Sequence, residues 1–531
     1  MKVASLPLPL AALVLLAAGC SGGSSGDPLA PASEAGLDGG GDAVADTTPE
    51  ERLDAAPGCA GKVCSGVCVL GACEFAVTSI QGIASGAASD WVNGGAFFTV
   101  KGKGFAKGMK LFLGEGRAPV RVIDAETATM QAPPGPEGPV DVRVELPGRM
   151  SLSKGVFSYR SGPIEGLGPW EKRTMSIAHA DMPAVSVLFD GRALVSGGLS
   201  SISPIVMTAR ADLFSLESKD TVATAGSMNT ARWNHSTVTL LDGRVAVIGA
   251  SGVGASPCCD SLVVDLFDPK TGTFTRAKGA PTDAFQGPRA VLLPDGRVLV
   301  LAYQAKAAHL FDPESETFTT VPGAPTIDYW QFGPGLQYLT RLRDGRALIV
   351  TGVGRDAWTF DVDSGAFTNV GKGPKAGVDA LIALPDGRAI ALGGAVTTGT
   401  TSLASDAVEL FDPKGSGFTV APYKLTAPRL ASAAALSRDG SVLVIGGATG
   451  SFPYPYGCGT TAAGEKATAA VDRVDPATGK VGAFPALPEP NDYLVATTLL
   501  DGSALAAGGG VCGASTPYPY LYFRKAPPLP K

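Results

Sequence analysis

The C-terminal two thirds of the chain alternate between short apolar runs and tight polar turns. Seven times an apolar run is followed by Asp-Gly and then by a second apolar run. The seven pairs are Asp190-Gly191, Asp242-Gly243, Asp295-Gly296, Asp344-Gly345, Asp386-Gly387, Asp439-Gly440 and Asp501-Gly502. Self-similarity at a period near 50 residues indicates an array of one supersecondary unit.

The second repeat shows a whole unit. Its apolar stretches predict four short strands: Trp233–Leu241, Arg244–Gly249, Leu262–Asp268 and Thr273–Ala277. The Asp242-Gly243 pair between the first two predicts a two-residue type I′ turn, whose twist matches that of paired strands. Four antiparallel strands in sequence make one propeller blade.

Other repeats carry the same phrases. The third strand recurs as HLFDPESETF, TFDVDSGAF and ELFDPKGSGF. A Gly-Gly pair ends the second strand at Gly197-Gly198, Gly393-Gly394, Gly446-Gly447 and Gly508-Gly509. In these features the chain resembles Kelch repeats and bacterial galactose-oxidase-like propellers, although Phe274, Phe318, Phe367 and Phe418 stand where that family has Trp. The resemblance implies an all-β fold in which residues 161–531 form a seven-bladed Kelch-type β-propeller.

The last repeat ends at Tyr520–Phe523 and lacks a fourth strand. An unassigned strand lies ahead of the first repeat, at Trp170–Ile177. A ring of blades must hide its edge strands. We therefore expect the N-terminal strand to complete the last blade and close the ring.

Residues 77–160 predict a separate β-sandwich. Phe97–Phe105, Lys110–Gly114 and Val140–Leu146 alternate apolar and polar residues between Gly and Pro turns. The motifs Gly102-x-Gly104-Phe105 and Phe157-x-Tyr159 resemble immunoglobulin-like IPT/TIG domains. Members of that family act mostly as spacers or interaction modules.

The N-terminus predicts export and lipid anchoring. Residues 1–19 have a lysine, then an apolar core too short to span a membrane, and end at Gly19 before Cys20. This resembles a bacterial lipoprotein signal, which implies lipid attachment at Cys20 and, with Ser21 next, an outer-membrane address. The alternative is an ordinary secretory signal. Residues 20–57 lack aromatic residues and predict a flexible tether. We expect a protein of the bacterial cell envelope, either periplasmic or surface-exposed.

Nine cysteines fit an oxidising compartment. Cys59, Cys64, Cys68 and Cys73 crowd into residues 58–76 and predict a knot of two disulfides with open connectivity. A zinc site is the alternative, but the Cys-x-x-Cys pairs of zinc knuckles are absent. Cys458 and Cys512 occupy corresponding loops of the last two repeats, which predicts a disulfide between neighbouring blades.

Strand alternation places the Asp-Gly turns on one face and the long loops on the other. The long loops and the segments between blades carry aromatic residues, which are suited to binding sugars or proteins on a rigid scaffold. The candidate ligand-binding residues are Trp233, Tyr329, Trp330, Tyr454, Tyr456, Tyr518 and Tyr520. The alternative is that the Pro-Tyr pairs pack the loops onto the blades.

Charge and histidine count narrow the function. Net charge is −6 with scattered Lys and Arg, so no nucleic-acid partner is expected. A copper radical oxidase of the resembled family needs two histidine ligands, but the three histidines, His179, His235 and His309, fall in different repeats. We therefore expect no metal, no cofactor and no catalytic residues. The sequence favours a surface binding or adhesion protein for a glycan or protein, and the alternative is a carbohydrate-active enzyme resembling a sugar epimerase.

Overall fold

The computed structural model describes residues 63–64, 68–69, 72–73, 75–164, 168–180, 182–202, 205–217, 223–249, 263–280, 286–303, 307–327, 338–352, 356–398, 401–453, 466–510 and 520–525. In these ranges every regular element is a β-strand, as the sequence predicts. The same ranges contain no helix that is long and apolar enough to cross a membrane.

Residues 75–160 form the expected sandwich. The strands up to its end are β1 (Val63–Cys64), β2 (Cys68–Val69), β3 (Ala72–Cys73), β4 (Ala76–Gly82), β5 (Ser89–Trp91), β6 (Phe97–Lys103), β7 (Lys110–Leu113), β8 (Gly116–Ala118), β9 (Val120–Asp124), β10 (Thr127–Gln131), β11 (Gly138–Leu146) and β12 (Arg149–Arg160). One sheet has the order β1-β12-β11-β7-β8 with β5 parallel to β12, and the other has the order β4-β6-β10-β9. Alternate residues of facing strands, including Phe98, Val100, Leu111 and Val142, are fully buried between them.

The cysteine-rich segment touches this sandwich through its backbone. Strand β1 pairs with β12, with Val63 opposite Leu152, and β2 pairs with β3 as a hairpin in which Cys68 lies opposite Cys73. The cysteine side chains of residues 58–76 lie outside the described part of the chain. The two-disulfide knot therefore stays a prediction.

The remaining described strands build seven sheets, one for each Asp-Gly turn, and two further small sheets of three and two strands. They are β13 (Glu171–Thr174), β14 (Ala184–Val187), β15 (Ala193–Ser196), β16 (Leu199–Ile202), β17 (Ile205–Phe214), β18 (Ala223–Arg232), β19 (Ser236–Thr239), β20 (Val245–Ile248), β21 (Val264–Asp268), β22 (Thr273–Arg276), β23 (Gln286–Leu292), β24 (Val298–Tyr303), β25 (Ala308–Asp312), β26 (Thr317–Val321), β27 (Leu339–Arg341), β28 (Ala347–Val350), β29 (Asp356–Asp361), β30 (Ala366–Lys372), β31 (Ala380–Ala383), β32 (Ala389–Leu392), β33 (Ala395–Thr398), β34 (Thr401–Ala404), β35 (Val408–Phe411), β36 (Phe418–Val420), β37 (Ala433–Leu436), β38 (Val442–Ile445), β39 (Ala448–Thr449), β40 (Ser451–Pro453), β41 (Lys466–Ala467), β42 (Val471–Asp475), β43 (Lys480–Phe484), β44 (Asp492–Thr498), β45 (Ala504–Gly510) and β46 (Tyr520–Arg524).

Numbered by their Asp-Gly turns, sheets 1 to 7 begin with β14, β19, β23, β27, β31, β37 and β44. These first strands contact one another in that order, and β44 contacts β14, so they form a closed circle. The fold is a β-propeller with its first strands around a central channel.

The expected ring closure is confirmed. Sheet 7 has the order β13-β46-β45-β44, and β13 pairs antiparallel with β46, with Lys172 opposite Tyr522. The indole of Trp170 donates a 2.8 Å hydrogen bond to the Pro485 carbonyl and packs in the core shared by sheets 6 and 7. The N-terminal strand thus covers the edge that the C-terminal repeat leaves open.

The Asp-Gly turns differ from the expected geometry. In the first, the Gly191 amide donates to the Leu188 carbonyl and the Leu188 amide donates to the Arg192 carbonyl, which makes a three-residue loop. Only the glycines have positive φ, between 82° and 94° across the seven turns, whereas type I′ needs positive φ at the aspartate too. The aspartate instead accepts hydrogen bonds from the residue two positions on, as Asp190 does from the amide and guanidinium of Arg192.

The sandwich packs on the face that carries these turns, which we call the Asp-Gly face. The Phe97 ring lies 4.4 Å from the Phe189 ring of the first turn. The Trp91 indole donates to the Leu500 carbonyl at 3.2 Å, and the Val120 amide donates to the Pro294 carbonyl at 3.0 Å. These contacts reach turns of sheets 1, 3 and 7. The opposite face, on which the first strands begin, is the long-loop face.

Candidate functional site

The central channel has a pocket toward the long-loop face. It has a volume of about 310 Å³ and is lined by the beginnings of first strands from sheets 1, 2, 3, 5, 6 and 7. Small residues such as Ala184, Ala290, Ala380 and Ala433 leave the space open. We call this space the mouth pocket. Its polar lining residues are Asn234, His235, Ser236, Thr237, Arg289, Asp379, Ser432 and Tyr493.

Four non-glycine residues of the mouth pocket have left-handed backbone conformations. They are Met182, Asn234, Ala431 and Tyr493, with φ between 50° and 56°. The first three stand two residues before the first ladder position of their strands, whereas Tyr493 lies within β44. This conformation turns their peptide groups along the ring. The Tyr493 amide donates to the Ala431 carbonyl, Met182 to Tyr493, and Asn234 to Met182, at 2.9 to 3.3 Å. Strain of roughly 1–3 kcal/mol for each residue is therefore offset by hydrogen bonds that join neighbouring sheets.

Side-chain hydrogen bonds extend this series of contacts between neighbouring sheets to sheets 3 and 5. The Arg289 guanidinium donates to the Asn234 side-chain oxygen at 2.9 Å. The Asp379 carboxylate accepts from both the amide and the hydroxyl of Ser432, at 2.9 and 2.8 Å. The polar wall of the mouth pocket is thus held in place by contacts between neighbouring sheets.

Burial perturbs two titratable groups in this wall. It raises the pKa of Asp379 to about 6, against the lowering effect of the Ser432 hydrogen bonds. It lowers the pKa of His235 well below its usual value, and the nearby guanidiniums of Arg232 and Arg289 act in the same direction. His235 also contacts the Ser196 hydroxyl of sheet 1 at 2.9 Å, so it is a neutral packing histidine.

Two buried arginines fix the necks of long loops. Arg232, at the end of sheet 1, donates to the Gly249 and Val263 carbonyls of sheet 2 and pairs with Asp265. Arg429 donates equivalent bonds to the Gly446 and Ala470 carbonyls and to the Asp472 carboxylate of sheet 6, at 3.0, 2.7 and 2.9 Å. Their role is to bridge neighbouring sheets, and neither guanidinium faces a ligand space.

The described ranges contain no cluster of three His, Cys, Asp or Glu side chains that could hold a metal ion. His179 hydrogen-bonds the Gly197 carbonyl at 2.6 Å, and His309 lies in the third strand of sheet 3. The histidines therefore lie in separate sheets, as their positions in the sequence indicate.

The structure describes two of the seven predicted ligand residues. Trp233 is partly buried on the long-loop side, next to Asn234 of the mouth pocket. Tyr520 lies in strand β46 rather than in a loop, with the Lys172 ammonium 3.9 Å from its ring centre. Tyr329, Trp330, Tyr454, Tyr456 and Tyr518 lie outside the described residues, as do Cys20, Cys258, Cys259, Cys458 and Cys512.

Sequence reasoning missed the acidic residue of the mouth pocket. Asp379 comes directly before the first strand of sheet 5, where sheets 1, 2 and 6 have Pro183, His235 and Ser432. A carboxylate directly before an apolar first strand could have marked this residue as a candidate, but recognising it requires alignment of the repeats.

Comparison with known families concerns the sandwich. The sandwich has the two sheets that the sequence predicts, and its last strand, β12, contains the Phe157-x-Tyr159 motif. Residues 80–159 match the family model of the IPT/TIG domain. The TIG domain thus accounts for the sandwich, and it is this TIG domain that covers the Asp-Gly face.

Whole-chain comparisons give more distant likenesses. No curated protein matches the sequence. Among solved structures, the chain is similar to a virginiamycin B lyase from Staphylococcus aureus, with 10% identity and a TM-score of 0.45 over 67% of this chain and 99% of that one. It is also similar to a protein of unknown function from Bacteroides thetaiotaomicron, with 13% identity and a TM-score of 0.39 over 85% and 98% of the two chains. A fungal alcohol oxidase in complex with copper has 16% identity and a TM-score of 0.36, over 86% and 77%.

Proposed function

We propose that this protein is a lipid-anchored cell-surface binding or adhesion protein that presents the long-loop face of its propeller to a glycan or protein. The single observation that carries the proposal is the position of the TIG domain. It packs on the Asp-Gly face through Phe97, Trp91 and Val120, so the long-loop face, with the mouth pocket at its centre, is the face left for a ligand.

The nature of the two faces agrees with this choice. The Asp-Gly turns repeat one geometry seven times, whereas a specific binding surface needs variety. The long loops differ between repeats in length and sequence, and they carry the aromatic candidates Tyr454 and Tyr456. Aromatic side chains at the centre of an interface are the usual source of affinity.

A screen of the purified protein against glycans and surface proteins should find the ligand. Replacing Tyr454 and Tyr456 together by alanine should then weaken binding by about tenfold or more. Replacing Arg244 and Arg297, beside the Asp-Gly turns, should leave binding unchanged. Loss of binding from the arginine pair alone, with both variants folded, would move the site to the opposite face.

Anchoring at Cys20 is a separate part of the proposal. We expect Cys20→Ala to lose lipid labelling and to leave the membrane fraction. A variant that stays in the membrane fraction with unchanged lipid labelling would contradict the anchor without affecting the ligand face.

A sugar-modifying enzyme resembling an epimerase is the second candidate. The observation that favours it is that burial raises the pKa of Asp379 to about 6 and that Asp379 lines the mouth pocket together with Arg289, since general acid–base catalysis needs a group that titrates near the working pH. Glycan turnover by the wild type that disappears in Asp379→Asn would support it. Binding without turnover would favour the binding protein.

A further inference from the structure

A second cavity lies deeper in the channel, between the mouth pocket and the TIG domain. It has a volume of about 420 Å³, and we call it the inner chamber. Its walls are the middle and end residues of the first strands, and TIG residues 93–95 and Gln131 line its far end. Val185, Thr237 and Ala290 line both cavities, so the inner chamber adjoins the mouth pocket, which leads to the long-loop face.

Among the described residues that line the inner chamber, Arg341 is the one with an ionisable side chain. It occupies the last ladder position of its first strand, opposite Ala347. At the same register position the other six sheets have neutral residues: Val187, Thr239, Leu292, Ala383, Leu436 and Thr498. Sheet 4 is thus the one sheet with a charged residue at this register position, and that residue places a cation in the inner chamber.

The contacts of Arg341 leave its charge without a counter-ion in the described residues. Its guanidinium donates to the Leu292 carbonyl at 2.8 Å and to the side-chain oxygen of Gln131, in the TIG domain, at 3.0 Å. Both acceptors are neutral, and an arginine has five N–H donors. Burial lowers the pKa of Arg341 to about 10, so the group stays protonated at neutral pH despite its desolvation.

Arg341 is partly buried, and a cation that is partly withdrawn from water is stabilised by an anion that reaches it. We propose that the inner chamber binds the carboxylate of a small organic acid, with the Arg341 guanidinium as its charged partner. A single guanidinium matches a single negative charge and can hold a carboxylate by parallel hydrogen bonds. This proposal adds a ligand class to the proposed function. It rests on that function only in assuming that the ligand enters through the mouth pocket.

The competing explanation is that Arg341 serves only to fasten the TIG domain through Gln131. Acetate separates the two explanations, because it is a small organic carboxylate that makes little demand on the shape of the chamber. Its binding to the full chain should be measured by NMR line broadening of labelled acetate at constant ionic strength, with acetamide as the neutral control of the same shape.

Three variants make the measurement specific. Arg341→Gln removes the charge and should weaken acetate binding by about tenfold or more. Arg346→Gln removes an arginine of the same sheet that pairs with Asp344 outside the chamber, and it should bind as the wild type does. Gln131→Glu gives Arg341 a carboxylate from the TIG domain, so it should keep the domain docked and still abolish acetate binding.

The expected result is acetate binding by the wild type and by Arg346→Gln, binding weakened by about tenfold or more in Arg341→Gln, no acetate binding by Gln131→Glu, and no binding of acetamide. No binding by the wild type, or equal binding by Arg341→Gln, would overturn the proposal. Should Arg341→Gln fail to fold, unchanged binding by Gln131→Glu would overturn it equally. None of these results bears on the aromatic loops, so failure here is distinguishable from failure of the proposed function.

Discussion

Arg117 of the TIG domain holds Asp363 of sheet 4 by two parallel hydrogen bonds of 2.8 Å each. Lys110 adds a third contact to the same carboxylate at 2.6 Å. In sheet 3 the corresponding turn position is Glu314, which pairs with Arg121 at 3.3 Å. A basic edge of the TIG domain therefore lies against two acidic turns of the propeller.

The acidic turns belong to sheets 3 and 4, two of the sheets that the TIG domain touches. Asp363 and Glu314 stand two residues after the aspartate that ends the third strand. Sheets 2 and 5 have Lys270 and Lys414 at that place, after the same aspartate. The charge at this turn position thus distinguishes sheets 3 and 4 from sheets 2 and 5.

Reversing this charge should loosen the domain contact. In Asp363→Lys, the new cation faces Arg117 and Lys110, so we expect the docked state to lose on the order of 1 kcal/mol, since the pair is partly exposed. The Arg117 and Val120 amides donate to propeller carbonyls across the contact, and their hydrogen exchange should become roughly fivefold faster.

Lys414→Asp is the matched control, because it changes charge at the same turn position in a sheet for which the structure gives no TIG contact. Its exchange rates should equal those of the wild type. Unchanged exchange in Asp363→Lys would mean that Phe97 and Trp91 hold the domain without help from the ion pairs.

The sequence predicted the fold well where a local pattern repeats. The Asp-Gly phrase located all seven first turns, and the missing strand of the last repeat led to the closing strand β13. The predicted type I′ turn was wrong. The dipeptide does not reveal that the Asp190 carboxylate accepts a hydrogen bond from the Arg192 amide, or that only Gly191 has a positive φ.

Tertiary placement was harder to predict. The position of the TIG domain depends on contacts such as Phe97 with Phe189, which join residues far apart in the chain and leave no periodic trace. The exceptional charge at Arg341 could be recognised only by aligning the repeats by register. Its neutral partner Gln131 comes from the docked TIG domain, which the sequence did not place. Several of the aromatic candidates fall outside the described residues and stay predictions.

Ring closure by β13 can be tested at Trp170. Trp170→Ala removes a ring that is 7% exposed, its hydrogen bond to Pro485, and the packing that seats β13 on sheet 7. We expect a loss of about 3–5 kcal/mol in the free energy of unfolding. Trp233→Ala removes the same side chain from a partly buried position and should cost clearly less. Equal unfolding curves for the two variants would argue against closure through this strand.

The predicted disulfide between Cys458 and Cys512 offers a second test of how the last two repeats are joined. In the chain-entropy view a bridge between these positions stabilises the folded chain by about 4 kcal/mol, less any strain. Peptide mapping without reduction should find the two cysteines in one linked fragment, and Cys458→Ser with Cys512→Ser should unfold at a lower temperature. Two free thiols in the mapped protein would exclude the bridge.

The stability of the TIG domain should depend on pH through Asp90. This carboxylate is buried and accepts hydrogen bonds from the Trp91 and Ala96 amides. Burial is the largest influence and raises its pKa to about 7, from 3.8, although the two amides and Arg160 act to lower it. The folded domain therefore favours the protonated form over the pH range in which the unfolded chain is already ionised.

The direction of the effect follows from that difference. Below about pH 4 both states are protonated, so Asp90 costs nothing. Between about pH 4 and pH 7 unfolding releases its proton, so stability falls as pH rises, by up to about 4 kcal/mol, and it is level above that range.

Denaturant unfolding of the wild type between pH 5 and pH 8 should show this fall after subtraction of Asp90→Asn, which cannot ionise. Asp124→Asn is the control, since Asp124 is an exposed carboxylate of the same domain whose pKa is lowered by the Glu126 amide; it is ionised in both the folded and the unfolded state between pH 5 and pH 8 and so adds no slope there. A pH dependence that is the same in the wild type and in Asp90→Asn would show that Asp90 is ionised in the folded protein and that its burial is compensated by Arg160 and the two amides.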